Sequence, residues 1–241
     1  MSLRATAATA RRVALQLRHD HRTLALLLVV PCVLVTIIRF VFDDGGTFDR
    51  IGGPLLGVFP LLSMFLVTSI AMLRERTSGT LERLLTMPVG KIDILVGYAA
   101  AFAAVAVVQA ALVATVSMGL LGLDVQGPTW AVLLLGIANA LLGMALGLFV
   151  SAFARTEFQA VQFLPAFLLP QLLLCGLLTP RDAMAPALEA VSRALPMTYA
   201  YDALDRVTRD AGGAAAPTSV VLACTALALA CGALTLRRRT S

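Results

Sequence analysis

The chain has 241 residues, 59 % of them hydrophobic and only 14 % charged, with a mean hydropathy of +0.88. A soluble domain of this length carries far more charge on its surface, so the composition excludes a water-soluble globular protein. The net charge of +5 and the sequence pI near 9.5 reflect where Arg falls along a membrane topology, and nothing in the pattern calls for a nucleic-acid partner.

Residues 1–22 carry Arg4, Arg11, Arg12, Arg18 and Arg22. Leu3, Ala7, Ala10, Ala14 and Leu17 recur at helical spacing among them, which favours an amphipathic helix lying in the cytoplasmic membrane interface. A basic, unstructured tail is the competing reading. The segment does not read as a secretory signal, because its basic region is long and no small-residue cleavage site follows the next apolar run. His19 and His21 beside Arg18 and Arg22 read as a solvated basic cluster rather than a metal site.

Six apolar runs follow, at 24–42, 54–73, 94–122, 130–153, 160–178 and 218–236. Each approaches the ~20 residues with which a helix crosses a bilayer. They predict an all-α integral membrane protein in which 1–241 forms one domain with both termini on the same side. The central thirds of the runs hold no ionisable residue. Their polar residues, Gln109, Asn139 and Gln171, either line a path or hold helices together by hydrogen bonds. Cys32, Cys175, Cys224 and Cys231 fall inside the runs without metal-ligand spacing and read as packed thiols. Gly53-x3-Gly57 and Gly143-x3-Gly147 permit close helix approach, within one chain or between two.

Basic residues set the orientation. Thirteen of the 19 lie with the termini, the 74–93 loop and the 154–159 loop, and six lie on the other side. The side of the termini is therefore expected to be cytoplasmic. Eighteen of the 19 are Arg, a bias expected of a GC-rich bacterial genome.

Two segments between the runs stand out. In 74–93, Thr77 or Ser78 is placed to cap a short helix from Gly79 toward Met87, with Pro88 stopping it. Leu81, Leu84 and Leu85 share its apolar face, and Glu75, Glu82 and Arg83 stay polar. Such a helix suits a groove on another protein; a helix that only anchors its loop fits equally. In 179–217, Pro180, Pro186 and Pro196 punctuate two weakly helical stretches, 184–195 and 198–209. These are too apolar for a free loop and too short to span twice. Two helices dipping into the outer leaflet fit, as a lid over an exit or as a cap on the bundle.

Catalytic chemistry is missing. Gly90-Lys91 is followed by Ile92, and Leu85 stands where a phosphate-binding loop needs Gly. No His-Glu-x-x-His pattern occurs and no Ser has an obvious His partner, so neither catalytic nor metal-ligating residues are expected. An ion-coupled carrier keeps ionisable groups in mid-membrane, and these runs have none.

Two motifs then carry a resemblance. The first is Arg74-Glu75-Arg76 followed by Gly79-Thr80-Leu81-Glu82-x-Leu84-Leu85-x-x-Pro88. The second is Pro170-x4-Cys175-Gly176-x3-Pro180, then Pro186, then Pro196-x2-Tyr199-x2-Asp202-Ala203-Leu204. In this order, on opposite membrane faces of a six-span chain, they resemble the type-2 ABC exporter permeases (ABC-2), most of all the daunorubicin-type drug and lipid exporters. Cys175 stands where that family often has Ser.

The resemblance implies a permease subunit of an ATP-driven exporter in the bacterial cytoplasmic membrane. It implies a separate ABC ATPase subunit as partner, a second permease, identical or paralogous, and surrounding membrane lipid. ATP and magnesium would bind the ATPase, leaving no cofactor on this chain. Glu75, Gly79, Thr80, Glu82, Leu84, Leu85 and Pro88 would form the coupling helix, and Pro180, Pro186, Pro196 and Tyr199 would shape a re-entrant helix pair at the exit. Few mid-membrane polar groups and 6 % aromatic residues suit a hydrophobic or amphiphilic cargo such as a drug, antibiotic or lipid better than a polysaccharide. The alternative is a non-transporting membrane scaffold or regulatory partner of an ATPase.

Overall fold

A computed structural model describes residues 3–42, 45–80 and 90–235. Among the described residues every regular element is helical. Helix α1 covers Leu3–His19, α2 His21–Val41 and α3 Gly45–Thr77. Helix α4 covers Lys91–Ala114 and runs on through a π-helical turn at Thr115–Leu120. Helix α5 covers Thr129–Val150. Helix α6 covers Glu157–Leu174, with a π-helical stretch at Leu164–Leu168. Pro165 within that stretch and Pro170 just after it cannot donate to the helical ladder, which accounts for the local change of register. Two short helices, α7 (Pro186–Ser192) and α8 (Pro196–Thr208), precede α9 (Ala215–Thr235).

Six helices, α2, α3, α4, α5, α6 and α9, are long and apolar enough to cross a membrane, as the six apolar runs predict. The boundaries differ. The run at 54–73 is the middle of a helix that reaches from Gly45 to Thr77 and contains Pro54 and Pro60 in its interior. At 1.5 Å per residue its 33 residues extend about 50 Å, well beyond the ~30 Å hydrocarbon core. A hydropathy window sees only the part with no charge. The fifth span starts earlier and ends at Leu174 rather than 178, where the chain turns through Gly176 at φ +106°.

The central seam is α3 against α5. A Cβ added at Gly143 would collide with the Leu61 backbone, and one at Gly147 would meet the Phe65 carbonyl and Thr68 Oγ1. The helices approach so closely that Thr68 Oγ1, besides bonding Met64 O, reaches Met144 O at 3.3 Å across the seam. Gly53 faces Thr208, and Gly57 faces Asn139 and Leu204. Both glycine pairs therefore serve packing inside one chain.

The three mid-membrane polar side chains are hydrogen-bonded between helices. Gln109 Nε2 donates to Leu27 O and Ser63 Oγ, both at 2.7 Å, tying α4 to α2 and α3. Asn139 Nδ2 donates to Ala200 O at 3.2 Å, tying α5 to α8. Gln171 Oε1 accepts from Met197 N at 3.4 Å at the start of α8. A buried amide without such partners would cost several kcal/mol in hydrocarbon.

The ends of the helices fall into two sets. At one end, Arg12 on α1 bonds Glu75 on α3, Arg74 bonds Glu157 at the start of α6, and Arg76 Nη2 reaches Thr235 Oγ1 at the end of α9. The first and last described elements thus lie at the same end, here the basic end. At the other, far end, Arg39 Nε donates to Leu121 O, Asp124 N to Asp49 Oδ1, and Gln126 N to Thr208 O.

Helix α1 packs on α4 and buries Thr9, Val13 and Leu17. The row that packs on α4 shares only Leu17 with the apolar row read from the sequence, whose Leu3, Ala7 and Ala14 are exposed. The contact is set by Gly97 on α4, where any Cβ would strike Thr9, so the row 9–13–17 follows the α4 surface.

Candidate functional site

An apolar groove of about 770 Å³ runs between α2 and α3. Its walls are Leu26, Leu27, Val30 and Leu34 from α2, and Phe59, Leu62, Leu66 and Ile70 from α3. Val30 and Leu34, like much of the α2 surface, remain exposed, while the buried face of α3 is turned to α5. The mouth at the basic end is polar, lined by Gln16, Asp20, Arg74, Glu75, Ser78, Thr80 and Tyr98.

Asp20 caps α2. Its carboxylate accepts from Thr23 N at 3.1 Å and Thr23 Oγ1 at 2.6 Å. These hydrogen bonds to the charged form hold its pKa below the ordinary aspartate value. Glu75 is 8 % exposed. Its Oε1 accepts from Arg12 Nη1 at 3.0 Å and from Gln16 Nε2 at 3.4 Å, and Arg12 Nη2 bonds the Tyr98 hydroxyl at 2.7 Å. A buried joint therefore links α1, α3 and α4 beside the groove mouth.

This places the residues of the 74–93 segment unevenly. Glu75, expected to stay on a polar surface, is turned inward. Thr77 ends α3 and bonds back to Leu73 O and Arg74 O, so it is not the cap of a following helix. Gly79 lies at φ +71°, the left-handed conformation that stops a helix at little cost for glycine. Ser78 Oγ and Thr80 Oγ1 share a hydrogen bond of 2.9 Å. Glu82, Leu84, Leu85 and Pro88 lie outside the described residues.

At the far end, Pro180 leads into a 3-10 turn at Arg181–Ala183, and Pro186 and Pro196 occupy the first positions of α7 and α8, where a missing N–H costs nothing. The Tyr199 hydroxyl donates to Arg193 O at 2.6 Å, fixing the turn between the two helices. Arg181 Nη2 lies 2.8 and 2.7 Å from the two oxygens of Asp202. Burial raises the Asp202 pKa, while Arg181 opposes that shift. The four far-end residues form one segment, separated from the groove mouth by the length of the bundle.

Arg12, Gln16, Tyr98, Arg181 and Asp202 were not among the site residues suggested by sequence. The signal was weak: Tyr98 is one of only three tyrosines, and it sits in an apolar run one turn after Asp93. Among the described residues no cluster of His, Cys, Asp and Glu could hold a metal ion.

Six apolar helices, close glycine-mediated packing and charge confined to the helix ends define a multi-pass membrane protein. The model of the family "ABC-2 type transporter" matches residues 4–207, and the chain belongs to that family. It is 28 % identical over 151 residues to the inner membrane transport permease YhhJ of Escherichia coli, covering 61 % of this chain and 40 % of that one. It is 26 % identical over 148 residues to the probable multidrug ABC transporter permease YbhR of the same organism, again 61 % of this chain and 40 % of the relative. A similarity of 27 % over 138 residues to ABC transporter G family member 20 of Dictyostelium discoideum covers 57 % of this chain and 19 % of that protein. The matched stretch thus spans two fifths or less of these relatives.

Proposed function

We propose that this chain is the permease subunit of an ATP-driven exporter that moves a hydrophobic or amphiphilic substrate out across the bacterial cytoplasmic membrane. The observation that carries the reading is the groove: mostly apolar along Leu26–Leu34 of α2 and Phe59–Ala71 of α3, with Ser63 in its wall, and polar at the basic end. A cargo with an apolar body and a polar head matches both parts. A polysaccharide would find few hydrogen-bonding groups along those walls.

Energy then arrives from a separate ABC ATPase subunit, which binds ATP and magnesium. The basic end is the cytoplasmic face, and the segment between Gly79 and Gly90 meets the ATPase there, with Glu82, Leu84, Leu85 and Pro88 in the contact. The joint of Glu75, Arg12 and Tyr98 makes α1, α3 and α4 respond together to that contact. A second permease completes the transporter by closing the open side of the groove. Helices α7 and α8, braced by Tyr199 and by Arg181 with Asp202, form the exit cap on the outer face.

Filling the groove tests this. Leu62→Trp or Ile70→Trp is expected to abolish substrate-stimulated ATP turnover of the assembled complex while leaving co-purification with the ATPase intact. Unchanged stimulation in both variants overturns the assignment of the groove as the substrate path.

A further inference from the structure

One polar side chain interrupts the apolar part of the groove. Along the walls from Leu26 to Leu34 on α2 and from Phe59 to Ala71 on α3, Ser63 is the only polar one among the described lining residues. It is partly exposed, and it is held from behind. Pro31 lies inside α2 and has no N–H, so the Leu27 carbonyl one turn earlier loses its helical donor. Gln109 on α4 supplies a replacement: its Nε2 donates to Leu27 O and to Ser63 Oγ, both at 2.7 Å. The freed carbonyl therefore sets which way the Gln109 amide points, and the amide in turn fixes the Ser63 hydroxyl. Gln109 itself is fully buried and presents nothing to the groove.

The capacity of that hydroxyl decides what it can meet. A serine hydroxyl has one hydrogen to donate and two acceptor positions. The hydrogen goes to Pro60 O at 3.1 Å, and Gln109 fills one acceptor position. The second acceptor position has no partner among the described residues. A purely apolar chain lying in the groove leaves it unused. A hydroxyl carried on such a chain would donate to it, and would escape the cost of an unmet polar group in an apolar site. At 1.5 Å per residue Ser63 lies about 18 Å along α3 from Glu75 at the polar mouth, within the length of a long alkyl chain or a fused-ring body.

We infer that Ser63, held by Gln109, selects amphiphiles whose apolar body carries a hydroxyl at this depth, with Ser63 Oγ accepting its hydrogen. The inference rests on the exporter reading only in making such an amphiphile the cargo; the binding itself needs no ATPase.

The test uses the purified full chain in nanodiscs of zwitterionic lipid, with a fluorescent fatty alcohol as probe and empty nanodiscs subtracted. Competitors are counted by their mole fraction in the bilayer, so that unequal partition into lipid drops out. They are stearyl alcohol, the diol with a second hydroxyl at the matching depth of that chain, and the methyl ether of that second hydroxyl, which cannot donate. A hydrogen bond made rather than left unmet predicts that the diol displaces the probe at a mole fraction roughly tenfold below the ether. In Ser63→Ala the diol should lose that advantage while stearyl alcohol competes as before. Ser69→Ala removes a buried hydroxyl that bonds Leu66 O and does not line the groove, and it should leave the advantage intact. Equal competition by diol and ether on the unaltered chain overturns the proposal, and it decides the matter even where Ser63→Ala fails to fold. An advantage that survives Ser63→Ala, or that Ser69→Ala removes equally, overturns it as well. Preference for the diol without ATP-dependent export would leave this site standing and remove the exporter reading. ATP-dependent export of stearyl alcohol without preference for the diol would do the reverse.

Discussion

Glu75 shows how far a residue's role depends on partners distant in the chain. Its place in a charged stretch suggests a solvated side chain, yet Arg12 reaches it from 63 positions away and Tyr98 joins through Arg12. No local pattern encodes that meeting. Breaking a part-buried charged pair leaves the survivor unpaired, so the Arg12→Ala, Glu75→Ala double-mutant cycle should give a coupling of about 1–3 kcal/mol. Denaturation in mixed micelles measures it, and a coupling near zero would mean that the joint holds nothing together. Gly143 is a second decisive position. Gly143→Ala forces α3 and α5 apart against the Leu61 backbone and should cost about 1–3 kcal/mol. Gly45→Ala, where a Cβ meets nothing within 4 Å, should be close to neutral in the same assay.

At the scale of elements, the spans were legible because apolar length is a direct physical requirement of the bilayer. Their ends were less so, since helix α3 continues through Asp49 and Arg50 at one end and through Arg74, Glu75 and Arg76 at the other. The periodicity of α1 gave a helix but not the row that packs on α4, because the deciding contact is a glycine on α4 that no reading of α1 alone contains. The two stretches in 179–217 became α7 and α8 at nearly the expected places, where proline marks each first turn. What remains to be tested there is the surroundings. Helix α8 buries Met197, Ala200, Ala203 and Leu204 in the bundle, whereas Leu188 and Val191 of α7 are left 48 % and 50 % exposed by this chain. If α7 dips into the outer leaflet, a single cysteine at Leu188 in a cysteine-free background should react slowly with an impermeant thiol reagent while one at Asp210 reacts quickly. Equal rates would point to a helix in water. For the coupling segment, Glu82→Lys should abolish co-purification with the ATPase and leave membrane insertion unchanged, since a reversed charge in a desolvated contact costs several kcal/mol. Full recovery of the complex would remove Glu82 from that contact.

For the whole molecule, six helices able to cross a membrane, the salt link of α3 to α1 and the Arg76–Thr235 hydrogen bond of α3 to α9 place one end of the bundle in common to the first and last described helices. The 13-to-6 distribution of basic residues is the ground on which we propose that this end is cytoplasmic. A reporter active only outside the membrane, fused after Ser241, should stay silent. Membership of the ABC-2 family was legible from two short motifs on opposite faces, but the groove was not, because it forms between helices whose individual patterns are uniformly apolar. The central claim is that this groove carries cargo at the expense of ATP hydrolysed on another subunit. Inside-out liposomes holding the permease with its ATPase partner test it most directly. The account predicts accumulation of a fluorescent amphiphile that starts on addition of ATP and magnesium and is lost in Ile70→Trp. An assembled complex that hydrolyses ATP without any ATP-dependent accumulation would contradict it.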